Sequence, residues 1–152
     1  PPRSTLFPYT TLFRSNLGLI KIKEVTNRYV NSYFSEGVPL LVVEGKVVNK
    51  SQDILTRIRV QGKVYDGTNR ILQMRVSYCG NALSDGELMS LQENEIQKRL
   101  STPQDANVTK ERLLPNQEIS FMLVFAIDKA GVDKRAPVVA GVVPLAAERL
   151  LN

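Results

Sequence analysis

The residues able to do chemistry in this chain are few, and what is missing narrows the choice first. There is no histidine, so the commonest general base and the usual activator of a serine or cysteine nucleophile are absent. The single cysteine, Cys79, stands in Tyr78-Cys79-Gly80-Asn81, and its nearest basic neighbour in sequence is Arg75. A nucleophilic thiol needs a cation or a helix N-terminus to depress its pKa. A helix starting at Ser84 is the one local source of that effect. One cysteine without histidine builds neither a disulfide within the chain nor a structural zinc site. The carboxylates Asp85, Glu87, Glu93 and Glu95 fall on a predicted helix, but Glu87 and Glu93 are not on one face, so they read as a solvated surface. No catalytic, cofactor-binding or metal-ligating set is expected.

One group of side chains has binding chemistry. Arg57, Arg59, Lys63 and Arg75 lie on two segments that pair as a hairpin, and together they could form one positive surface. Such a surface suits phosphate or an acidic partner. Tyr65 is the only aromatic residue interleaved with it, whereas single-strand binders supply several stacking platforms. A partner-binding face is the first expectation, and nucleic-acid or anion binding is the alternative. The formal charge of +5 is too mild to decide between them.

The elements that position these residues follow from periodicity. From Ile54 to Val64 the even positions read Ile54, Thr56, Ile58, Val60, Gly62 and Val64, and the odd ones Leu55, Arg57, Arg59, Gln61 and Lys63. That alternation predicts a half-buried antiparallel strand. Asp66-Gly67-Thr68-Asn69 supplies a turn, and Ile71–Tyr78 returns with Leu72, Met74, Val76 and Tyr78 on its apolar face. Leu40–Asn49 is a β-branched strand. Leu19–Lys23 is a charge-guarded edge strand, and Arg28–Phe34 with the turn Glu36-Gly37 is another hairpin arm. Ile119–Ile127 is apolar on both faces and is expected to be the most buried strand. Val138–Leu145 is the last, its end marked by Pro144.

One segment breaks the β rhythm. Ser84-Asp85-Gly86-Glu87 has the capping-box form. The helix that follows places Leu88, Leu91, Ile96 and Leu100 on one broad arc, a possible contact for a partner. Thr102–Arg112 is a polar loop. The fold class is therefore mainly β, an antiparallel β-sandwich with one helical insertion at about 84–100, with a small closed barrel as the competitor. Asn49-Lys50-Ser51 and Asn107-Val108-Thr109 match the glycosylation sequon, a motif common by chance.

Residues Thr5–Ser15 read as the translation of a short-read sequencing adapter and are excluded from fold reasoning. Discounting 1–15 removes Arg3 and Arg14 and lowers the formal charge from +5 to +3. The expected organisation is a non-native segment 1–15, a domain 16–145, and a tail 146–152 that forms a short helical turn or frays. No run approaches the roughly 20 apolar residues of a membrane span.

Three stretches carry a family resemblance. Leu41-Val42-Val43-Glu44-Gly45-Lys46-Val47-Val48-Asn49-Lys50-Ser51, Tyr78–Ser84 with Glu87-Leu88, and Leu114–Phe125 resemble the domain of unknown function 3426 family. The last stretch has Asn116 where that family usually has glycine, and asparagine tolerates the left-handed conformation such a turn needs. The resemblance implies an immunoglobulin-like sandwich forming the extracytoplasmic, C-terminal part of a bacterial inner-membrane protein. It further implies an upstream zinc ribbon with paired Cys-x-x-Cys motifs and a single membrane span, both before Asn16, and no established activity. The expected function is non-enzymatic binding or scaffolding of another envelope protein, with zinc only upstream. Nucleic-acid binding, and a hydrolase or thiol enzyme using Cys79, are the alternatives.

Overall fold

The computed structural model describes residues 19–33, 39–103, 112–126 and 139–150. Six strands, β1 (Ile20–Asn31), β2 (Pro39–Asn49), β3 (Ile54–Tyr65), β4 (Ile71–Tyr78), β5 (Glu118–Ala126) and β6 (Val139–Leu150), form two antiparallel sheets. Their orders are β1-β2-β5 and β4-β3-β6. Two short helices, α1 (Asp85–Ser90) and α2 (Glu93–Leu100), lie between β4 and β5 in sequence.

Alternation decides what each strand buries. Leu41, Val43 and Val47 of β2 and Phe121, Leu123 and Phe125 of β5 share one core cluster with Ile58, Val60 and Val64 of β3. Both phenylalanines are essentially fully buried, each worth about 1.5–3 kcal/mol of transfer free energy. Two glycines let backbone and rings approach. A Cβ at Gly62 of β3 would stand 2.7 Å from Leu123 Cδ1 and 2.9 Å from Phe125 Cζ, and one at Gly45 would stand 2.8 Å from the Phe121 ring.

The opposite face of β1-β2-β5 is also covered. Val30, Leu40, Val42, Met122, Val124 and Ala126 pack with Leu83, Leu88, Ile96 and Leu100. A sheet buried on both faces needs apolar residues at consecutive positions, which is why β2 and β5 lack clean alternation.

The structure differs from the sequence expectations at five places. The two arms predicted at Leu19–Lys23 and Arg28–Phe34 are one strand, β1, interrupted by a bulge between Lys23 and Thr26 where Glu24 takes φ 54°. In β3 a second irregularity at Arg57 (φ 52°) shifts the pattern, so Leu55 rather than Ile54 joins the core. On β4 the polar side is the inward one: Gln73 and Ser77 are buried and Met74 is half exposed, because this strand faces α2 and the edge of β5. The single helix predicted over 84–100 is two. Leu91 is extended at ψ 149°, and the break lets Leu88 and the pair Ile96 and Leu100 all reach the sheet despite the five-residue step from Leu91. Finally, Pro144 does not end the last strand, and Ala146–Leu150 is no helical turn or frayed tail. Pro144 lies opposite Val60 on a strand that among the described residues pairs only with β3, and a register shift beside it lets pairing resume at Arg59 with Ala146.

Asn116 does take the left-handed conformation, at φ 67°. The segment 1–15, the turn at Glu36-Gly37, most of the loop over 102–112, the sequon at Asn107, and residues Ile127, Val138, Leu151 and Asn152 lie outside the described residues.

Candidate binding surface

The side chains of β3 that point away from the shared core are Arg59, Gln61, Lys63 and Tyr65. Antiparallel register sets Arg59 beside Tyr78, Gln61 beside Val76 and Lys63 beside Met74 on β4. On the other flank Gln61 neighbours Val143 and Lys63 neighbours Gly141 of β6. The Arg59 guanidinium lies over the Tyr78 ring at 5.7 Å from its centroid, a cation–π contact. Met74 and Val143 flank this row with half their surfaces exposed. The outer face of β4-β3-β6 is thus basic, aromatic and partly apolar at once. Near its lower end Glu148 sits opposite Thr56. Burial pushes its carboxyl above the usual range while Arg57 and Arg59 pull it back.

Of the four cations expected to form one surface, Arg59 and Lys63 share the outer face, and Arg57 stands with Arg59 close enough to Glu148 to act on its carboxyl. Arg75 belongs elsewhere. It lies opposite Gly62, whose Cα faces the core, so its side chain leaves β4 on the inner side. There its Nη2 lies 3.7 Å from Glu93 Oε1 of α2, and its Nη1 donates to Met74 O at 3.0 Å. Arg75 is a tether for α2, not part of the basic face. The expected partner-binding helix is corrected in the same way. Leu88, Ile96 and Leu100 are buried and Leu91 packs against their cluster, so these four residues hold the helices to the sheet.

Two buried asparagines organise the frame. Asn81 Nδ2 is shared among the carbonyls of Arg99 (3.0 Å), Leu100 (2.9 Å) and Thr102 (2.7 Å), closing the C-terminus of α2. Asn49, fully buried, donates through Nδ2 to Asp53 O and Leu113 O and accepts at Oδ1 from the Ser51 N–H and hydroxyl. The sequon match at Asn49 is therefore a buried structural knot.

Cys79 packs against the shared core, and burial pushes its thiol up to about 12. At neutral pH it is un-ionised, and a thiol in that state is a poor nucleophile. The short α1, which starts at the Ser84 capping box, does not reverse this effect.

Sequence reasoning missed one cleft of about 300 Å³ beside the β1 bulge, lined by Glu24, Thr26, Glu44, Lys46, Ser120 and Phe121. Its charges are satisfied internally. Glu44 accepts from Arg28 at 2.7 Å, and Lys46 lies 3.5 Å from Glu24 and 3.8 Å from Glu118, which also pairs with Lys23. The break of alternation at Lys23-Glu24-Val25 was its only signal in the chain. Among the described residues no group of three or more His, Cys, Asp or Glu side chains is arranged to hold a metal ion, and no helix is long and apolar enough to cross a membrane.

Compared with protein-family models, with curated proteins and with solved structures, the chain matches none of them.

Proposed function

We propose that this chain is a non-catalytic binding module, an immunoglobulin-like sandwich that docks another protein through the outer face of β4-β3-β6. The observation that carries the proposal is the grouping of the Arg59–Tyr78 stack, Lys63, Met74 and Val143 on one strand face. Tyr, Met and Arg are enriched at protein interfaces, and Lys63 adds preference for acidic partners. The un-ionised thiol of Cys79 and the lack of histidine favour binding over chemistry. The resemblance in the three sequence stretches supports the wider setting: the extracytoplasmic part of a bacterial inner-membrane protein whose partner is another envelope protein. Zinc in that setting belongs to an upstream ribbon, since one cysteine and no histidine do not fit it here.

A photo-crosslinking residue at Met74 of the full-length protein tests the docking face, with one at Thr68 in the exposed turn as control. A discrete adduct from Met74 alone, recovered with the membrane fraction, is the expected result. No adduct beyond the Thr68 control overturns it. Full-length protein found soluble in the cytoplasm overturns the anchored setting. A second reading, nucleic-acid binding, gains from Tyr78 joining Tyr65 beside the basic row. It requires salt-dependent DNA affinity that charge reversal at Arg57 and Arg59 abolishes.

A further inference from the structure

A sheet edge is a row of unpaired N–H and C=O groups, and proteins guard it with charges, bulges or covering elements. Three of the four edges here are guarded. β1 carries Lys21, Lys23, Glu24 and Arg28 and a bulge. Three carbonyls of β5 are capped, Ser120 O by the Gly80 N–H (2.7 Å), Val124 O by Gln97 Nε2 (2.7 Å) and Ala126 O by Gln73 Nε2 (2.7 Å). β4 is only eight residues long, carries Arg75 and lies alongside β5.

β6 differs. Among the described residues no strand pairs with it on the side away from β3, although β1 passes close to it. From Val139 to Ala147 it reads Val-Ala-Gly-Val-Val-Pro-Leu-Ala-Ala, without a charge. Its two faces make different demands on a neighbour. On the inner face Ala140 and Val142 are half-buried at the margin of the shared core, so an added strand would extend that core with apolar side chains. On the outer face the cross-strand neighbour of Gly141 is Lys63, which makes no ion pair among the described residues. A strand added beyond β6 lies two spacings, about 9.6 Å, from β3; Lys63 laid over Gly141 beside the Tyr65 ring covers the first spacing, and an acidic side chain leaning back from the added strand covers the rest.

We propose that the open edge of β6 accepts an extended partner segment of alternating apolar and acidic residues, its carboxylates reached by Lys63 across Gly141. Backbone pairing would provide affinity, and the alternating side chains would provide selectivity. The proposal rests on the outer face of β4-β3-β6 being the docking side and names the chemistry of the partner.

The probe is a short acetylated peptide of alternating valine and glutamate, titrated against the full chain. Its affinity is read by fluorescence anisotropy, and amide exchange is followed along β6. The expected result is saturable binding with new protection of alternate amides in β6. Lys63→Glu weakens it about tenfold. Gly141→Glu does the same, because its carboxylate pairs with Lys63 in place of the peptide. A Cβ at Gly141 meets only the Tyr65 ring, at an ordinary 3.5 Å, so that variant keeps the fold. Binding that depends on Lys63 without new β6 protection overturns edge pairing but leaves the docking face standing. Absent binding, or binding indifferent to both variants, overturns the proposal, and the Met74 crosslink then judges the docking face by itself. Protection of β6 that grows with protein concentration alone also overturns it, since the occupant is then a second copy.

Discussion

Asn49→Ala is expected to cost more than any surface change in this protein. Asn49 ends β2 with four side-chain hydrogen bonds: from Ser51 N (2.9 Å) and Ser51 Oγ (2.6 Å) to its Oδ1, and from its Nδ2 to Asp53 O (2.8 Å) and Leu113 O (2.9 Å). Each net bond is worth about 1 kcal/mol, and stranding a buried partner adds to that. The stranding is partial, because Leu113 O still accepts from Leu55 N and Asp53 O from Ser51 Oγ. The total is about 3–4 kcal/mol, close to the upper end for single substitutions. With an m-value of about 2 kcal/mol/M, the urea midpoint falls by about 1.5–2 M at unchanged slope. A loss under about 1 kcal/mol would refute the account of this knot. Asn49→Asp sharpens the test, because it keeps the acceptor for Ser51 but aims a carboxylate at two carbonyls. Its folded-state pKa is then raised above the unfolded value. The variant is accordingly most stable below about pH 4 and loses stability as pH rises through the folded pKa.

Four further outcomes follow from named contacts. Gly62→Ala forces a methyl against Leu123 and Phe125 and is expected to cost about 1–3 kcal/mol in a thermal melt, whereas Gly67→Ala, with open space around it, stays within about 0.5 kcal/mol; equal effects would mean the shared core is loosely packed. Asn81→Ala uncaps α2 at a cost of about 2 kcal/mol, and hydrogen exchange should show α2 losing protection before the sheets do; unchanged α2 protection would discard the cap. Cys79, half-buried, should react only slowly with an aromatic disulfide reagent at pH 8 and faster as pH rises, and immediate labelling at pH 8 would contradict its raised pKa. Asp66, lowered to about 2 chiefly by the Thr68 hydroxyl and then by the Arg70 and Thr68 amides, contributes stability that is present above 3.8 and lost as pH falls through about 2. A carboxyl NMR titration midpoint near 3.8 would remove that contribution.

The strands were legible where one face is wet. β3 and the turn at Asp66 follow from alternation and turn residues, and the doubly apolar run of β5 announces its two-sided burial. The capping box at Ser84 announces α1. What the sequence hid is set by long-range contact. Nothing local says that Gln73 and Ser77 face inward, because their acceptors, Ala126 O and Leu100 O, are supplied by β5 and α2. Arg75 shares a hairpin and a charge with Arg59 and Lys63, while register sets it on the other side of the sheet. Leu88, Leu91, Ile96 and Leu100 form an apolar arc whether it packs inward or waits for a partner, and only the facing apolar side of β2 and β5 decides.

The arrangement of the edges gives the helical insertion a physical role. A three-stranded sheet has two open edges, and β5, apolar and central to both clusters, would be the most hazardous strand to leave exposed. The segment after β4 reduces that hazard with side chains and backbone alone: Gly80, Gln97 and, from β4 itself, Gln73 occupy three of its outward carbonyls. Asn81 then locks the helix that carries Gln97. Protection on this side is built into the chain, whereas β6 on the far side carries no charge from Val139 to Ala147 and, although β1 passes close to it, pairs only with β3 among the described residues. An edge left open next to a cationic row is a selective liability for a solitary domain. It is an asset for one that receives a strand, and that asymmetry is the physical basis of the strand addition proposed at β6.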